Sequence, residues 1–265
     1  MQQVPVITIV GCGTNIPCPD RYCSGFHLAV GGEEWLIDCG SGVFGRFPRY
    51  NLDPFSLDRI FLTHHHPDHS ADLVAVLFAS TYLDPPRARP IEILGGPGTR
   101  DFVERLRNLW REWVAVPAGV TVTECETGRL ERGGRTIRIF PMAHHTSSVA
   151  FRIDLGSGGE IVFTGDTGGG AEVVAAASGA RVLVTEAAVP SGAGIEGHQD
   201  PETAARAAAQ ADVETLVLVH RYPEVSVEAA CEGARSHFRG QIVVAAEGDR
   251  LFLEPEKVRV EGENG

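Results

Sequence analysis

The chain has 265 residues, 43% of them hydrophobic, and carries a formal net charge of −12 with a pI near 5.3. That length and apolar content support a sizeable layered core, and 31 glycines with 16 prolines mark many tight turns rather than disorder. The acidic balance disfavours a large polyanion as substrate, because nucleic-acid binding needs a cationic surface to displace phosphate counterions. A small substrate suits it better.

No stretch approaches the roughly 20 apolar residues that span a bilayer. The opening Met1-Gln2-Gln3-Val4-Pro5 lacks the basic region of a signal peptide. The expected compartment is the cytoplasm, with no membrane partner, and homodimer formation is left open. Six cysteines (Cys12, Cys18, Cys23, Cys39, Cys125 and Cys231) form no C-x-x-C pair. In a reducing compartment they are expected as small buried apolar residues rather than metal ligands.

Val6 to Val10 (V-I-T-I-V) reads as a strand, followed by a Gly/Pro-rich loop from Gly11 to Cys23. F-H-L-A-V and W-L-I-D read as paired strands around Gly31-Gly32. Leu57 to Leu62 is a strand that delivers the chain into T-H-H-H-P-D-H-S. Ser70 is the expected N-cap of a helix over A-D-L-V-A-V-L-F-A-S-T-Y-L. Asp84 to Pro90 (D-P-P-R-A-R-P) is a loop, and with the Gly11 to Cys23 loop is expected to border the pocket and shape specificity.

I-E-I-L is a strand, and Thr99 to Trp113 has a helical apolar period. Short strands with G-R and G-G turns fill Val120 to Phe140. Val149 to Leu155 and Glu160 to Phe163 pair around G-S-G-G. Then come a helix over Ala171 to Ser178, a strand over Arg181 to Thr185, and a helix over Pro201 to Gln210 that opens on Pro. A strand over Thr215 to Val219, a helix over Ser226 to Phe238 and a strand over Gln241 to Ala245 complete the pattern. A block of strands followed by alternating strands and helices recurs in both halves, with no linker between. The expected fold is α/β (α+β): one domain, 1–265, of two packed mixed sheets with helices outside.

Four histidines and Asp68 fall within six positions at His64, His65, His66, Asp68 and His69. At a strand end turning into a helix, His64 and His66 can face one side while Asp68 and His69 are brought round to meet them. Imidazole and carboxylate suit Zn²⁺, Mn²⁺ or Fe. Two of these histidines could hold one ion, and Asp68 with His69 a second, but the run alone supplies too few donors. His65 points away from its neighbours. The competing reading is a solvated polar turn.

Three other apolar strands also end in ligand-type residues: P-M-A-H-H-T-S-S (His144, His145), I-V-F-T-G-D-T-G (Asp166) and L-V-L-V-H-R-Y (His220). One such end could be a turn residue or a cap. Four together point to a shared metal site.

T-H-H-H-P-D-H-S-A-D-L, H-H-T-S-S-V-A-F-R-I, F-T-G-D-T and L-V-L-V-H together resemble the metallo-β-lactamase superfamily. The nearest branch holds ribonuclease Z, related phosphodiesterases and arylsulfatase-like hydrolases. V-G-C-G-T-N-I-P-C-P-D-R and L-I-D-C-G-S-G resemble that branch's opening loop and Asp-x-Gly turn. The resemblance implies a four-layer αβ/βα sandwich and a site for two divalent metal ions, zinc foremost, with manganese or iron as alternatives. His64, His66 and His144 would hold one ion, Asp68, His69 and His220 the other, and Asp166 would bridge. His144 is preferred to His145 because the family's ligand stands eight residues before a strand arginine, here Arg152.

L-V-T-E-A-A-V-P and G-H-Q-D-P resemble that branch's H-E-A-T and H-S-T segments. Glu186 and His198 are kept, while Thr185 and Gln199-Asp200 stand where the branch has His and Ser-Thr. The resemblance implies that His198 assists the leaving group or steadies the scissile phosphate. Ribonuclease Z proteins also carry a long arm that grips tRNA. Between Phe151 and Asp166 there is only the tight G-S-G-G turn, and no arm is legible elsewhere, so nucleic acid is a doubtful partner.

Two cations lower the pKa of a shared water toward neutrality, so hydroxide exists at pH 7. The reading is therefore a metal-dependent hydrolase of a small phosphodiester or related ester. Asp68 would orient the nucleophile, His198 would be the acid, Asp38 a partner to a ligand histidine, and Glu186 a support near the metals. The alternatives are a ribonuclease Z-like endonuclease, a hydrolase of carboxylic or sulfate esters or lactones, and a non-catalytic metal-holding protein.

Overall fold

In a computed structural model of the chain, residues 3–83 and 89–262 are described. Residues 84–88, most of the D-P-P-R-A-R-P loop, lie outside them. The strands are β1 Val6–Gly11, β2 Gly25–Val30, β3 Glu33–Ile37, β4 Arg59–Leu62, β5 Ile91–Gly95, β6 Val120–Glu124, β7 Gly128–Arg132, β8 Arg135–Pro141, β9 Val149–Asp154, β10 Glu160–Phe163, β11 Val182–Glu186, β12 Thr215–Val219, β13 Gln241–Val244, β14 Arg250–Leu253 and β15 Val258–Glu261. The helices are α1 Val43–Arg46, α2 Pro67–Ser70, α3 Leu73–Thr81, α4 Thr99–Trp110, α5 Ala171–Ala177, α6 Pro201–Gln210 and α7 Val227–His237.

The strands form two sheets, ordered β15-β14-β1-β2-β3-β4-β5-β6 and β13-β12-β11-β10-β9-β8-β7. Both are mixed: β3 to β6 are parallel in the first, β10 to β13 in the second, and antiparallel pairs flank them. Side chains alternate between the two faces of each strand, and this sorts the apolar residues into layers. Phe61, Phe151, Phe163, Val184 and Val217 face the opposite sheet. Val162, Leu183, Leu216 and Leu218 face away, toward the alanines of α5, α6 and α7. Ile60 and Leu62 pack outward against α3, with Leu73, Val76 and Leu77. The result is the expected αβ/βα sandwich. Phe61 packs edge-on to Phe151 at 5.2 Å, locking sheet to sheet.

Parallel strands put their carboxyl ends on one edge, which is where open sheets place ligands. The residues following β3, β4, β8, β10 and β12, and the last residue of β11, therefore share a rim. Two bonds hold that rim closed: Val149 N donates to Thr63 O at 2.9 Å between the sheets, and Cys39 N donates to His69 O at 2.7 Å. Gly40 of the D-C-G turn is required there, since a Cβ would overlap the carbonyl oxygen of Asp68.

Four expectations change. Ser70 does not cap a helix; it ends the short α2, and its hydroxyl donates to the carbonyls of His65 and His66, both at 3.0 Å. Asp72 precedes α3 instead. The helix from Thr99 stops at Trp110, because Arg111 turns to φ +48° and starts a 3-10 turn over Arg111–Val114. The strand before the histidines begins at Arg59, not Leu57. Finally, β14 and β15, an antiparallel pair around Pro255-Glu256-Lys257, are not among the expected strands; they extend the first sheet beyond β1, with β15 at its edge. All six cysteines are free; Cys12, Cys23, Cys39 and Cys125 are buried, and Cys18 and Cys231 half-buried. Among the described residues, no helix is long and apolar enough to cross a membrane.

Candidate metal centre

Seven side chains from four strand ends meet on the rim. His64 follows β4, and His66, Asp68 and His69 sit on the α2 turn. His144 follows β8, Asp166 follows β10, and His220 follows β12. The donor atoms of His64, His66, His144 and Asp166 all lie within 4.8 Å of one another, as do those of Asp68, His69 and His220. Asp166 touches both groups. Its Oδ2 is 3.9 Å from His64 Nε2 and 3.7 Å from His144 Nε2, and its Oδ1 is 3.2 Å from His69 Nε2 and 3.5 Å from His220 Nδ1.

Neighbouring donors stand at 3.1 Å (His66 Nδ1 to His144 Nε2) and 3.2 Å (His220 Nε2 to Asp68 Oδ2). Tetrahedral sites with metal–nitrogen bonds of about 2.0–2.1 Å space their donors roughly 3.3–3.4 Å apart, so the set fits a divalent ion of that kind. A second observation agrees. His64 Nε2, His69 Nε2, Asp166 Oδ1 and His220 Nδ1 are buried and have no hydrogen-bond partner in the chain. Leaving such atoms unsatisfied costs about 1–3 kcal/mol each, and their convergence on one point is what a cation would repay.

Electrostatics lead the same way. Burial, reinforced by His69, holds His64 well below the usual imidazole range, and burial also lowers His66 and His144. Burial opposes ionisation of Asp166, yet His220 and His69 overrule it and keep its carboxyl well below the usual range. Asp68 is likewise brought down to about 2, because its hydrogen bond to His220 and the charge of His69 outweigh burial. His69 is raised well above its ordinary value, as Asp166 and Asp38 defeat burial. The cluster is thus a buried set of carboxylates that demands positive charge: protons on His69 and His220 are favoured in the chain alone and a bound cation would displace them, whereas His64, His66 and His144 are already held toward the neutral form that ligation needs.

Asp38 is the hub behind the donors. Its Oδ2 accepts from His69 Nδ1 at 2.7 Å, and its Oδ1 accepts from Thr63 N at 2.8 Å and Thr63 Oγ1 at 2.9 Å. Asp38 and His220 both take left-handed backbone, at φ +58° and +51°. That conformation costs a non-glycine residue about 1–2 kcal/mol, and here it aims both side chains at the cluster. Thr63 was not anticipated; no period or motif marks a threonine that serves through its hydroxyl.

His144 joins the cluster and His145 does not: His145 is exposed, with Nδ1 against Ser147 Oγ at 2.8 Å. His65 also stays outside. It stacks on Phe102 at 4.8 Å, and its Nε2 meets Thr99 Oγ1 at 2.8 Å.

Beside the donors, His198 Nδ1 meets Glu186 Oε2 at 2.9 Å, and Thr167 N donates to Glu186 Oε1 at 2.6 Å. Burial, then the nearby Asp166, pushes the Glu186 carboxyl well above its usual range. The His198 ring lies parallel to that of His220 at 6.0 Å. The departures from the H-E-A-T and H-S-T pattern compensate one another. Gln199 donates to Thr185 Oγ1 and to Glu186 O, joining the His198 loop to β11, and Asp200 caps α6 by accepting from Thr203 N at 2.7 Å.

Fold and donor set define a metallo-hydrolase built on an αβ/βα sandwich. Residues 34–221 match the beta-lactamase superfamily domain. The chain is 32% identical to the ribonuclease Z of Mycobacterium avium (strain 104) over 243 residues, 82% of this chain and 86% of that one. The metallo-beta-lactamase fold protein YhfI from Bacillus subtilis superposes with a TM-score of 0.81 at 23% identity, covering 94% of this chain and 99% of that one. A diphosphatase from the PhnP family superposes with a TM-score of 0.72 at 16% identity, over 93% and 97%. The chain belongs to the beta-lactamase superfamily domain family and is a hydrolase of the metallo-β-lactamase fold.

Proposed function

We propose that the protein is a metal-dependent phosphodiesterase of small substrates. The convergence of seven donors, four of them offering buried atoms that nothing in the chain satisfies, carries this reading. His64, His66 and His144 would hold one divalent ion and Asp68, His69 and His220 a second, with Asp166 in reach of both groups. When bound, such ions polarise the phosphoryl oxygens and make water nucleophilic near pH 7. Asp68 orients the attacking oxygen and accepts its hydrogen bond. His198, held by Glu186 through Nδ1, keeps Nε2 for the leaving oxygen and protonates it as the bond to phosphorus breaks. Asp38 fixes the His69 ring so that Nε2 faces the site.

Asp38→Ala is expected to weaken metal affinity about 10- to 100-fold, the usual cost of losing the partner of a ligand histidine. Competitive chelator titration reads it; unchanged affinity would remove Asp38 from the site.

The ribonuclease Z relative, at 32% identity over 82% of the chain, favours a second reading, cleavage of an RNA. Against it stand the net charge of −12 and the plain Leu155–Gly159 turn joining β9 to β10. One panel separates them: p-nitrophenyl phosphodiesters, phosphomonoesters, sulfates and carboxylic esters, and a precursor tRNA, each with Zn²⁺ and with Mn²⁺. The small diester is expected to turn over fastest. Turnover of RNA alone, a preference for carboxylic or sulfate esters, or no turnover with metal bound would each displace the reading.

A further inference from the structure

A cleft of about 420 Å³ is lined by residues of the loop after β1, of α1 and its following turn, and of the segments that follow β12 and β13. Four arginines line it, Arg21, Arg46, Arg49 and Arg221, against two carboxylates, Asp20 and Glu247. In a chain of net charge −12 that local excess of cations is out of character. The arginines come from separate places: the loop after β1, the end of α1, the 3-10 turn Phe47–Tyr50, and the residue directly after His220. The cleft therefore shares the rim with the donor cluster.

Three of these cations, Arg21, Arg46 and Arg221, are not fully used by the chain. Arg21 is 9% exposed and Arg221 2%, and a guanidinium that deep needs its donors taken. Arg21 Nη1 meets Asp20 at 3.1 Å, but the Asp20 side chain is 69% exposed, so water weakens the pair. Arg221 Nη1 donates to Val225 O at 2.7 Å. Arg46 reaches Glu247 at 2.7 Å and lies 4.1 Å above the Tyr22 ring. Glu247 is further occupied by Tyr22 N. What remains is one class of atom: the Nε of Arg21, of Arg46 and of Arg221 are all buried and donate to nothing in the chain. Burial, with the adjacent charge of Arg21, lowers Arg221 from its usual value, whereas Arg46 is raised against its burial by Tyr50 and Glu247.

Guanidinium forks match the oxygens of a phosphoryl group. We propose that this cleft binds a phosphoryl dianion distinct from the reacting one: a terminal phosphate of a substrate whose scissile diester lies at the histidine cluster. This rests on the phosphodiesterase reading and narrows it to small diesters that carry a further phosphate. Free phosphate acting from the same cleft shares the chemistry, and the test separates the two.

The metal-loaded full chain is titrated with inorganic phosphate by calorimetry, as wild type, Arg21→Gln and, at the cleft rim, Arg49→Gln. In parallel, kcat/KM is measured for a thymidine dinucleotide with and without a terminal phosphate. Each variant is read only if its metal content matches wild type. Phosphate affinity is expected to fall at least about tenfold in Arg21→Gln, the worth of one charge-assisted contact. The terminal phosphate is expected to raise wild-type kcat/KM about tenfold and that of Arg21→Gln about twofold or less. If phosphate binds both variants as it binds wild type, the proposal is overturned. If phosphate binding drops in the variants while the terminal phosphate gives no advantage, the cleft serves free phosphate and the substrate assignment is overturned. If neither dinucleotide turns over while phosphate binding drops as stated, the diesterase reading fails and the anion site stands.

Discussion

Asp166→Asn is expected to lose its metal and its turnover together. Asp166 is 2% exposed and, among the described residues, is the one carboxylate in contact with histidines of both groups, through Oδ1 to His69 and His220 and through Oδ2 to His64 and His144. Asparagine keeps the shape but replaces one acceptor oxygen with a donor and removes the charge. Four buried imidazoles would then face an amide that cannot balance a cation. Turnover should fall at least about 10³-fold, since the ions are needed for both nucleophile and charge stabilisation. Elemental analysis should find less than one ion per chain, while circular dichroism stays native because the sheet cores lie elsewhere. A variant that keeps two ions and a tenth of the activity would refute the bridging role.

His198→Ala should behave in the opposite way, holding its metal and losing rate. His198 Nδ1 is hydrogen-bonded to Glu186 at 2.9 Å, with Asp166 Oδ2 farther off at 4.0 Å, and its assigned work is proton delivery to the leaving oxygen. Removing a general acid costs about 10²- to 10⁴-fold when the leaving group is a poor one. The loss should appear with an alkyl or nucleoside leaving group and shrink to a small factor with p-nitrophenolate, which departs without a proton. A merely structural histidine would slow both substrates alike. The rival role is concrete, since donor atoms of Asp166, His198 and His220 also lie within 4.8 Å of one another. Stoichiometric metal loss in His198→Ala would make it a ligand.

Much of this was legible in the chain. The continuous apolar runs 161–163 and 216–219, in the strands Glu160–Phe163 and Thr215–Val219, specify two buried faces, and so a sheet covered on both sides. Donor residues that follow such strands can only emerge at the strand ends, which is why H-x-H-x-D-H, Asp166 and His220 could be read as one site before any coordinates. Local chemistry was less decisive where several short-range solutions compete. Ser70 can cap a helix or bond backward to His65 and His66, and the choice depends on how the α2 turn is seated on Ser24 and Cys39.

The residue types of the site, the strands that carry them and the sandwich they imply are properties of the one-dimensional pattern, because burial on alternate faces is enforced residue by residue. Three things are completed only in the tertiary structure. It brings His144, which the resemblance already favoured, into the cluster and leaves His145 outside, since only one of two adjacent side chains can face it. It supplies the hydrogen bonds of Asp38 with Thr63 and His69, and of Gln199 with Thr185. It also gathers Arg21, Arg46, Arg49 and Arg221 around one cleft. Each depends on atoms far apart in the chain meeting at hydrogen-bonding distance, and such distances exist only once both sheets have packed.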